Sequence, residues 1–234
     1  MTTTPTTTLI TGATKGLGLA AATQLAAAGH TVYVTGRDLD RARAVATAIG
    51  GHPLQLDVTS DVSVAAAAQA LRTQTDHLDV LVNNAGITTT TPPALVTASD
   101  LERVYATNVF GAVRVMQAFL PLLRAGADPL VVNVSSTLGM VRRTADPASF
   151  EHLFPTPAYT SSKAALNMLT SQFATVLPDV RVIAVSPGFA ATDLNGHRGT
   201  DTPEEGVRAV VEAVTGEIVV PTGAFADITG IINW

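Results

Sequence analysis

Apolar residues in this chain fall into short, nearly continuous runs, separated by longer stretches in which they recur at helical spacing. The short runs are typical of parallel β-strands whose two faces are covered by helices, and the longer stretches are typical of those helices. Seven strands are predicted, at residues 8–11, 31–35, 54–58, 79–84, 130–135, 181–186 and 217–221. Six helices are predicted between them, at residues 16–28, 38–49, 61–74, 98–124, 157–177 and 203–215.

The alternation of strands and helices continues through the chain without an internal repeat or a Gly/Ser-rich linker. It predicts one doubly wound α/β domain over residues 1–234, with a seven-stranded parallel sheet flanked by helices. Residues 1–7 are expected to form a flexible lead-in. The apolar stretch 104–123 contains Arg114 and a proline. We therefore expect a buried or half-buried helix there rather than a membrane span, which needs about 20 uninterrupted apolar residues.

Composition excludes several classes of function. The net charge is −5 and no Lys/Arg cluster is present, so nucleic acid and anionic membranes are poor partners. The absence of cysteine excludes disulfides, thiolate metal sites and cysteine nucleophiles, and it fits a reducing cytoplasm. The five histidines form no HxxxH or HExxH pair, so no metal site is predicted. The opening MTTTPTTT does not have the pattern of a signal peptide, and a soluble, cytoplasmic protein is expected.

The first predicted strand runs into TGATKGLG, residues 11–18, which we call the glycine turn, and then into a helix. Its glycines are spaced more widely than in the GxGxxG fingerprint, but they meet the same need for a tight turn and a close approach of backbone to a pyrophosphate. The following helix offers free N–H groups and the positive end of its dipole to phosphates. The residues predicted to bind the cofactor here are Gly12, Thr14, Lys15, Gly16, Leu17 and Gly18.

The end of the second predicted strand indicates which dinucleotide to expect. NAD-binding units usually carry Asp or Glu there, which accepts hydrogen bonds from the adenosine ribose. This strand ends instead in Gly36-Arg37, and arginine supplies a planar donor fork that suits a phosphate. With Lys15 as a second cation, NADP(H) is predicted over NAD(H). Asp38 provides the alternative, because a carboxylate one residue further on is able to turn inward and hold a ribose.

Two further strand ends complete the predicted cofactor site. The third predicted strand ends in an aspartate and a valine, which are expected to contact the adenine edge. The fourth ends in NNAG, residues 83–86, whose small residues leave room for a ring against the backbone. Each is also compatible with an ordinary strand terminus and turn. The cofactor-binding residues predicted here are Asp57, Val58, Asn84, Ala85 and Gly86.

The fifth predicted strand ends in NVSS, residues 133–136, and a later helix begins with YTSSK, residues 159–163. Because the carboxyl ends of parallel strands face the ligand crevice, Ser136 is expected at the same edge as the glycine turn. Tyr159 and Lys163 are neighbours on one helix face. The Lys163 cation is predicted to lower the pKa of Tyr159, so that the phenol gives a proton to a carbonyl oxygen while hydride arrives at carbon. Ser136 is predicted to hydrogen-bond the same oxygen.

Six motifs occur in the order and spacing of the short-chain dehydrogenase/reductase family, and the chain resembles that family from residue 8 to about residue 192. They are TGATKGLG, NNAG, NVFG (108–111), NVSS, YTSSK and SPGFAAT (186–192). The resemblance implies a Rossmann-fold enzyme that transfers hydride between NAD(P)(H) and a carbonyl/alcohol pair, similar to the carbonyl reductases.

The resemblance also implies roles for individual residues. Tyr159 is the implied acid/base, Ser136 the anchor of the substrate oxygen, and Lys163 the modulator of the tyrosine and a ligand of the nicotinamide ribose. Asn108 is implied to hold a water for proton relay. The residues implied to line the nicotinamide side are Pro187, Gly188 and Thr192.

The chain departs from the family between Ser136 and Tyr159, where family members commonly have a shorter connection. The extra stretch, residues 140–157, is called the insert below and resembles the longer inserts of monomeric carbonyl reductases. It is expected either to wall the substrate pocket or to form a surface excursion, and both a monomer and a homo-oligomer stay open. Residues 189–201 are expected to form a lid that orders on substrate binding. The predicted pocket residues are Leu138, Met140, Phe154, Phe189 and Leu194.

Together these features predict an NADP(H)-dependent carbonyl reductase acting on a small-molecule ketone or aldehyde. Two alternatives stay open: an alcohol dehydrogenase working mainly in the oxidative direction, and a non-catalytic regulator that senses NADP. The intact Ser136, Tyr159 and Lys163 favour an enzyme over a regulator. A serine hydrolase is not supported, because the chain has no GxSxG elbow.

Overall fold

The computed structural model describes residues 5–234. Within them the strands are β1 (Thr7–Ile10), β2 (Thr31–Gly36), β3 (His52–Gln55), β4 (Val80–Asn83), β5 (Leu130–Val134), β6 (Arg181–Val185), β7 (Phe225–Asp227) and β8 (Gly230–Ile232). They form one sheet in the order β3-β2-β1-β4-β5-β6-β7-β8, parallel throughout except for the antiparallel pair of β7 and β8. The doubly wound α/β architecture is confirmed, with eight strands in place of seven.

Helices cover both faces of this sheet. They are α1 (Gly16–Ala27), α2 (Leu39–Ile49), α3 (Asp61–Arg72), α4 (Ala98–Tyr105), α5 (Ala112–Leu123), α6 (Val141–Thr144), α7 (Pro157–Val176), α8 (Pro203–Gly206) and α9 (Arg208–Thr215). Of the predicted lead-in over residues 1–7, the first four residues lie outside the described part of the chain, and Thr7 already belongs to β1.

Successive residues of the central strands point into two apolar layers. Ile10 and Val132 pack in the layer formed with α1 and α9, whereas Leu9 and Val131 pack in the layer formed with α3 and α5. All four side chains are fully buried. Burial on both faces explains why these strands read as unbroken apolar runs rather than as alternating ones.

The helix predicted at residues 98–124 consists of three parts. A π-helical turn, Ala106–Gly111, lies between α4 and α5, and Pro121 lies inside α5. By length and composition alone the run Ala98–Leu123 is apolar enough to cross a membrane. In this molecule α4 packs on α7 and α5 packs on α3, which agrees with the predicted half-buried helix.

The prediction of a strand at residues 217–221 is wrong. These residues form no strand, although Val220 is buried in the core. The sheet ends instead in the β7–β8 hairpin, whose turn is held by Asp227 Oδ1 as acceptor for the N–H and hydroxyl of Thr229. Strands of three residues are too short to show a period of two. The apolar run at residues 217–221 therefore belongs to a buried segment that precedes the edge strands, and not to an edge strand itself.

The third strand also differs from its predicted range of 54–58. It ends at Gln55, so Asp57 and Val58 lie in the loop beyond it. As an edge strand, β3 tolerates Pro53, which has no N–H to donate to a neighbouring strand.

Candidate active site

The glycine turn connects β1 to α1 at the carboxyl edge of the sheet. Gly12 and Gly16 have φ values of 65° and 55°, in the left-handed region that favours glycine. A Cβ on Gly18 would overlap the Gly12 carbonyl oxygen and the Asn84 side-chain nitrogen. The positive φ values at Gly12 and Gly16 and the lack of space for a Cβ at Gly18 explain why glycine occupies these positions in the glycine turn.

The first turn of α1 has the features of an anion site. Its N-cap is Lys15, in an extended conformation and without a side-chain cap hydrogen bond. By contrast, α2, α3 and α4 are capped by the side chains of Asp38, Ser60 and Thr97. The backbone N–H groups at the start of α1 are thus left without a side-chain acceptor, beside a turn from which Cβ atoms are excluded. Such a cradle fits the pyrophosphate of a dinucleotide.

Asn84, directly after β4, holds the glycine turn in place. Its side-chain nitrogen donates to the carbonyl oxygen of Thr11 at 2.8 Å and to that of Gly12 at 3.3 Å. The hydroxyl of Thr11 in turn accepts from the backbone N–H groups of Asn84 and Ala85, both at 2.9 Å. Asn84 therefore contributes by shaping the cradle, and Thr11 is a supporting residue that sequence reasoning missed.

Two residues after β2, Arg37 and Asp38, are the alternative ligands predicted for the adenosine end of the cofactor, and their side chains have different surroundings. Asp38 Oδ1 accepts from the backbone N–H groups of Asp40 and Arg41, at 3.0 and 3.1 Å, as the N-cap of α2. Arg37 is exposed, and within residues 5–234 its side chain makes no hydrogen bond or ion pair. A Cβ on Gly36 would lie 2.7 Å from the Thr14 methyl group, so glycine is needed where the glycine turn crosses β2.

Lys15, the predicted second cation for the cofactor, is engaged in an ion pair. Its ammonium pairs with Asp193 at 2.7 Å, and both side chains are largely exposed. Asp193 belongs to the predicted lid, residues 189–201. Thr192 of the same segment lies beside Gly16, 3.6 Å from the position of a Cβ there. The lid therefore contacts the glycine turn directly.

Ser136, Tyr159 and Lys163 converge at the same edge of the sheet. Ser136 follows β5, and its hydroxyl accepts from the Leu138 N–H at 3.1 Å, which caps the short 3₁₀ turn Thr137–Gly139. Tyr159 lies in the first turn of α7. Lys163 is 4% exposed, donates to the Val134 carbonyl oxygen at 2.7 Å, and has its ammonium 5.5 Å from the Tyr159 ring centroid. The predicted proximity of the three residues is present.

The predicted direction of the Tyr159 shift is wrong. Tyr159 is half-buried as a residue, and burial of its phenol raises the pKa to about 12, although a hydrogen bond from Ser136 acts to lower it. Burial also lowers the pKa of Lys163 to about 8. Loss of water disfavours both charged forms, and for the phenol this outweighs the hydrogen bond from Ser136. The helix spacing predicted the neighbour correctly but carried no information on how deeply the pair is enclosed.

Asn108 lies in the π-helical turn and is fully engaged with protein groups. Its Oδ1 accepts from the Ile87 N–H at 2.8 Å, and its Nδ2 donates to the Ile87 carbonyl oxygen at 2.9 Å and to Ser162 Oγ at 3.0 Å. Ser162 donates in turn to the Tyr159 carbonyl oxygen at 2.7 Å. A Cβ on Gly86 would lie 3.6 Å from Asn108 Oδ1 and 3.8 Å from Lys163 Nζ. Asn108 and Gly86 thus border Tyr159 and Lys163, and Ser162 was missed although it directly precedes Lys163.

An aromatic cluster joins the insert to the lid. The ring centroids of Phe150 and Phe154 are 4.8 Å apart, and those of Phe154 and Phe189 are 5.5 Å apart. Phe150 is 55% exposed and Leu194 is also exposed, so this cluster presents apolar surface to solvent. Met140, by contrast, is buried against Ala184 and Phe225, behind the surface.

The two remaining residues of the predicted nicotinamide side follow β6. Gly188 donates its N–H to the Gly206 carbonyl oxygen at 2.8 Å, and a Cβ there would overlap the Asp201 carboxylate. Pro187 precedes it at the carboxyl end of the strand. The loop therefore starts at the same edge of the sheet as the glycine turn and Ser136.

Comparisons with known proteins agree with this architecture. The family model described as short chain dehydrogenase matches residues 6–203, so the chain belongs to the short-chain dehydrogenase family of oxidoreductases. The chain is 36% identical over 220 residues to the short-chain dehydrogenase anuI of Penicillium roqueforti, with 88% of this chain and 87% of that protein covered.

Two solved structures show the same fold over nearly their whole length. The NADPH-bound carbonyl reductase from chicken fatty liver superimposes with a TM-score of 0.87 at 27% identity, covering 99% of this chain and 100% of that chain. The 3-ketoacyl-(acyl-carrier-protein) reductase from Brucella melitensis, complexed with NADH, superimposes with a TM-score of 0.82 at 25% identity, covering 95% and 96%. Similar folds thus hold either nicotinamide cofactor.

Proposed function

We propose that this protein is an NADP(H)-dependent carbonyl reductase that transfers hydride between NADPH and a ketone or aldehyde. The observation that carries the proposal is that Ser136, Tyr159 and Lys163 converge at the same edge of the sheet as the glycine turn. The helix that follows this turn, α1, has no side-chain cap at its N-terminus. Without the turn these three residues would have no hydride donor, and without them the turn would only bind a nucleotide.

The cofactor is held, in this proposal, by the glycine turn and the strand ends around it. The N–H groups at the start of α1 bind the pyrophosphate, Lys163 and Tyr159 contact the nicotinamide ribose, and Pro187, Gly188 and Thr192 line the nicotinamide. When bound, NADPH supplies the hydride to the carbonyl carbon. Asp57 and Val58 remain predicted contacts of the adenine edge, and Ala85 and Gly86 remain predicted to leave room for a ring of the cofactor against the backbone.

The choice of NADPH over NADH rests on the end of β2. Asp38 caps α2 with its carboxylate, so the residue that would favour a free ribose hydroxyl is engaged elsewhere. The exposed Arg37 guanidinium is available to a 2′-phosphate and can bind it with two parallel hydrogen bonds. Lys15 supports this choice less than its position in the glycine turn indicates, because it pairs with Asp193.

The proton in this proposal comes from Tyr159. Because the pKa of this phenol is raised to about 12, it stays protonated at neutral pH and can donate to the oxygen of a carbonyl as negative charge develops there. Ser136 donates a hydrogen bond to the same oxygen and fixes its position. At neutral pH the protonated phenol that reduction requires therefore predominates over the phenolate that alcohol oxidation requires.

The apolar part of the substrate is expected on the side of the insert and the lid. Phe154 and Phe189 present rings there, and Leu138 is half-buried on the turn after Ser136. A small to medium-sized ketone or aldehyde with an apolar body suits this wall. The cytoplasmic location and the oligomeric state stay predictions.

The proposed function is tested with the purified protein and a panel of aliphatic, alicyclic and aromatic ketones and aldehydes. NADPH oxidation is followed optically for each compound, and the same panel is repeated with NADH. We expect kcat/KM with NADPH to exceed kcat/KM with NADH by at least about tenfold. NADPH binding without turnover of any compound would support the regulator instead, and a preference for NADH would contradict the cofactor assignment.

Arg37→Ala sharpens the cofactor test. Loss of a charge-assisted contact to the 2′-phosphate is expected to raise the KM for NADPH about 10- to 50-fold and to leave that for NADH nearly unchanged. Arg43→Ala is the matched control. Like Arg37, Arg43 is exposed, but it lies on α2 and pairs with Asp40. Equal effects of Arg37→Ala on both cofactors would remove the basis for NADP.

A further inference from the structure

Three polar side chains of α7 form a stripe along the face that meets the end of β5. Lys163, Asn167 and Thr170 are spaced four and three residues apart, so they lie on one side of the helix. Their exposed fractions are 4%, 5% and 0%. Buried polar side chains need hydrogen-bond partners, and each of these three has one on a different residue at the end of β5.

Successive residues at the end of β5 make these hydrogen bonds. The bonds run from Asn133 Nδ2 to Thr170 Oγ1 at 2.9 Å, from Lys163 Nζ to the Val134 carbonyl oxygen at 2.7 Å, and from Ser135 Oγ to Asn167 Oδ1. Ser135 is 1% exposed, and its N–H donates to the Val185 carbonyl oxygen of β6 at 2.8 Å. The strand end is therefore held by the sheet on one side and by α7 on the other.

The bond between Ser135 and Asn167 lies nearest to the proposed site. Ser135 directly precedes Ser136, and Asn167 lies one helical turn beyond Lys163. Asn167 also lies against the turn that follows Ser136, because a Cβ on Gly139 would be 3.0 Å from Asn167 Nδ2. The same Cβ would be 2.7 Å from the carbonyl carbon of Lys163. Asn167 thus contacts the chain both before and after Ser136.

A hydrogen-bonded pair in a core contributes geometry more reliably than it contributes stability. Replacing both partners by apolar groups of the same shape is often nearly neutral for the free energy of unfolding, whereas removing one partner leaves the other buried and unsatisfied. A hydrogen bond also requires a short donor–acceptor distance and a restricted angle, which an apolar contact does not. The Ser135–Asn167 bond therefore fixes the strand end relative to α7 more tightly than packing alone would.

We propose that Asn167 is a positioning residue. Through its hydrogen bond with Ser135, it sets the separation of the Ser136 hydroxyl from the Tyr159 phenol. In the proposed function both groups address one carbonyl oxygen, and a displacement of about 1 Å between such groups costs on the order of 10²-fold in rate. The inference rests on the proposed function for this consequence, whereas the coupling of α7 to the serine turn is a property of the protein alone.

Steady-state kinetics of the full-length protein test the consequence for the reaction. Ser135→Ala and Asn167→Leu are each expected to lower kcat about 10- to 50-fold, with the dissociation constant of NADPH changed less than about twofold. Thr170→Val is the matched control, because it removes the bond to Asn133 at the far end of the same stripe. It is expected to lose a similar amount of stability but to keep kcat within about twofold. A comparable loss of kcat in this control would overturn the proposal.

The double variant Ser135→Ala/Asn167→Leu separates geometry from stability. With both partners removed no buried group is orphaned, so the urea midpoint is expected to recover towards that of the parent protein. The kcat is expected to stay as low as in the single variants, because the same bond is lost in all three. In a Ser136→Ala background the single changes are expected to alter kcat less than about twofold. A kcat that recovers together with the midpoint would show a merely structural role.

Amide hydrogen exchange tests the coupling without any substrate. The Leu138 N–H, which donates to Ser136 Oγ at 3.1 Å, is expected to exchange at least about tenfold faster in Ser135→Ala and in Asn167→Leu, relative to amides of β4. Thr170→Val is expected to show no such difference.

The exchange measurement also keeps the two proposals distinguishable. If no carbonyl compound is turned over, the proposed function fails, and exchange at the Leu138 N–H still decides the role of Asn167. Unchanged relative exchange at Leu138 overturns the inference. Ser135→Ala removes a single oxygen atom and decides the matter if Asn167→Leu does not fold.

Discussion

The proposed cofactor half of the cleft and the proposed substrate half are built by different means. The cofactor half uses backbone: left-handed glycines, an uncapped helix N-terminus and strand ends in regular βα units. The substrate half uses side chains of irregular segments, such as the Phe150–Phe154–Phe189 cluster and the buried Glu151. Because the backbone of the glycine turn requires glycine at certain positions, the sequence shows glycines at a fixed spacing. Contacts between side chains of two irregular segments produce no such pattern. The first half can therefore be predicted from the sequence, and the second cannot.

The two halves meet at a few contacts. The Lys15–Asp193 ion pair joins the glycine turn to the lid, and Gly139 packs on the backbone of Lys163. Exposed ion pairs contribute little to stability, typically about 0–1 kcal/mol, so the packed contacts are expected to hold the halves together. The variants below separate the contributions of each half.

The largest expected effect comes from the residue that serves both halves. Tyr159→Phe keeps the ring and its packing but removes the transferable proton, so kcat is expected to fall by about 10²–10⁴-fold. NADPH binding, measured by titration, is expected to be largely retained. The matched control is Tyr105→Phe, a tyrosine in α4 with no assigned role. Unchanged turnover in Tyr159→Phe would refute the proposed proton donor.

Gly18→Ala is directed at the cofactor half. The added methyl group would overlap the Gly12 carbonyl oxygen and the Asn84 side chain, so the cradle must shift. The free energy of unfolding is expected to fall by about 1–3 kcal/mol and the dissociation constant of NADPH to rise about 10- to 100-fold. Gly29→Ala is the control: its φ of 91° also disfavours alanine, but nothing lies near its Cβ position and it is remote from the cleft. That variant is expected to lose stability without losing NADPH affinity.

Lys163→Met tests the burial of the ammonium group through the pH dependence of stability. Burial lowers the pKa of Lys163 from its ordinary 10.5 to about 8, so between these values the unfolded chain binds the proton more tightly than the folded protein. The resulting cost is fully present below pH 8 and disappears as the pH rises towards 10.5. At pH 7 the variant is expected to be more stable by about 1–2 kcal/mol, since loss of the hydrogen bond to Val134 offsets part of the gain.

Urea unfolding at pH 7 and pH 10 measures this difference. The advantage of Lys163→Met is expected to shrink at the higher pH. A variant less stable than the parent protein at both pH values would contradict the burial argument. Activity is expected to be lost in either case, because the lysine is proposed to contact the nicotinamide ribose.

The smallest effect is expected in the substrate half. Phe154→Ala removes one ring from the aromatic cluster, so the KM for bulky apolar ketones is expected to rise about 3- to 10-fold while that for small aldehydes changes little. Leu153→Ala is the control, since Leu153 is 68% exposed and directly precedes Phe154 in the insert. A uniform rise for large and small substrates alike would show that the cluster supports the site without contacting the substrate.

Much of the fold and of the catalytic set follows from the sequence because it depends on local rules. Runs of buried residues mark the central strands, and the i, i+4 spacing places Lys163 beside Tyr159 whatever surrounds them. The same rules fail at the sheet edge, where three-residue strands carry no period, and at β3, whose pairing ends before Asp57. They also leave open whether Asp38 holds a ribose or caps a helix, because both uses need a carboxylate at the same position.

The sequence by itself determined the doubly wound architecture, the glycine turn and the meeting of Ser136, Tyr159 and Lys163 at the carboxyl edge of the sheet. Only the tertiary structure decided the direction of the pKa shift at Tyr159, the pairing of Lys15 with Asp193 and the burial of Glu151 within the insert. The physical reason is that spacing specifies which groups are neighbours along an element, whereas desolvation depends on everything that packs around them from distant parts of the chain.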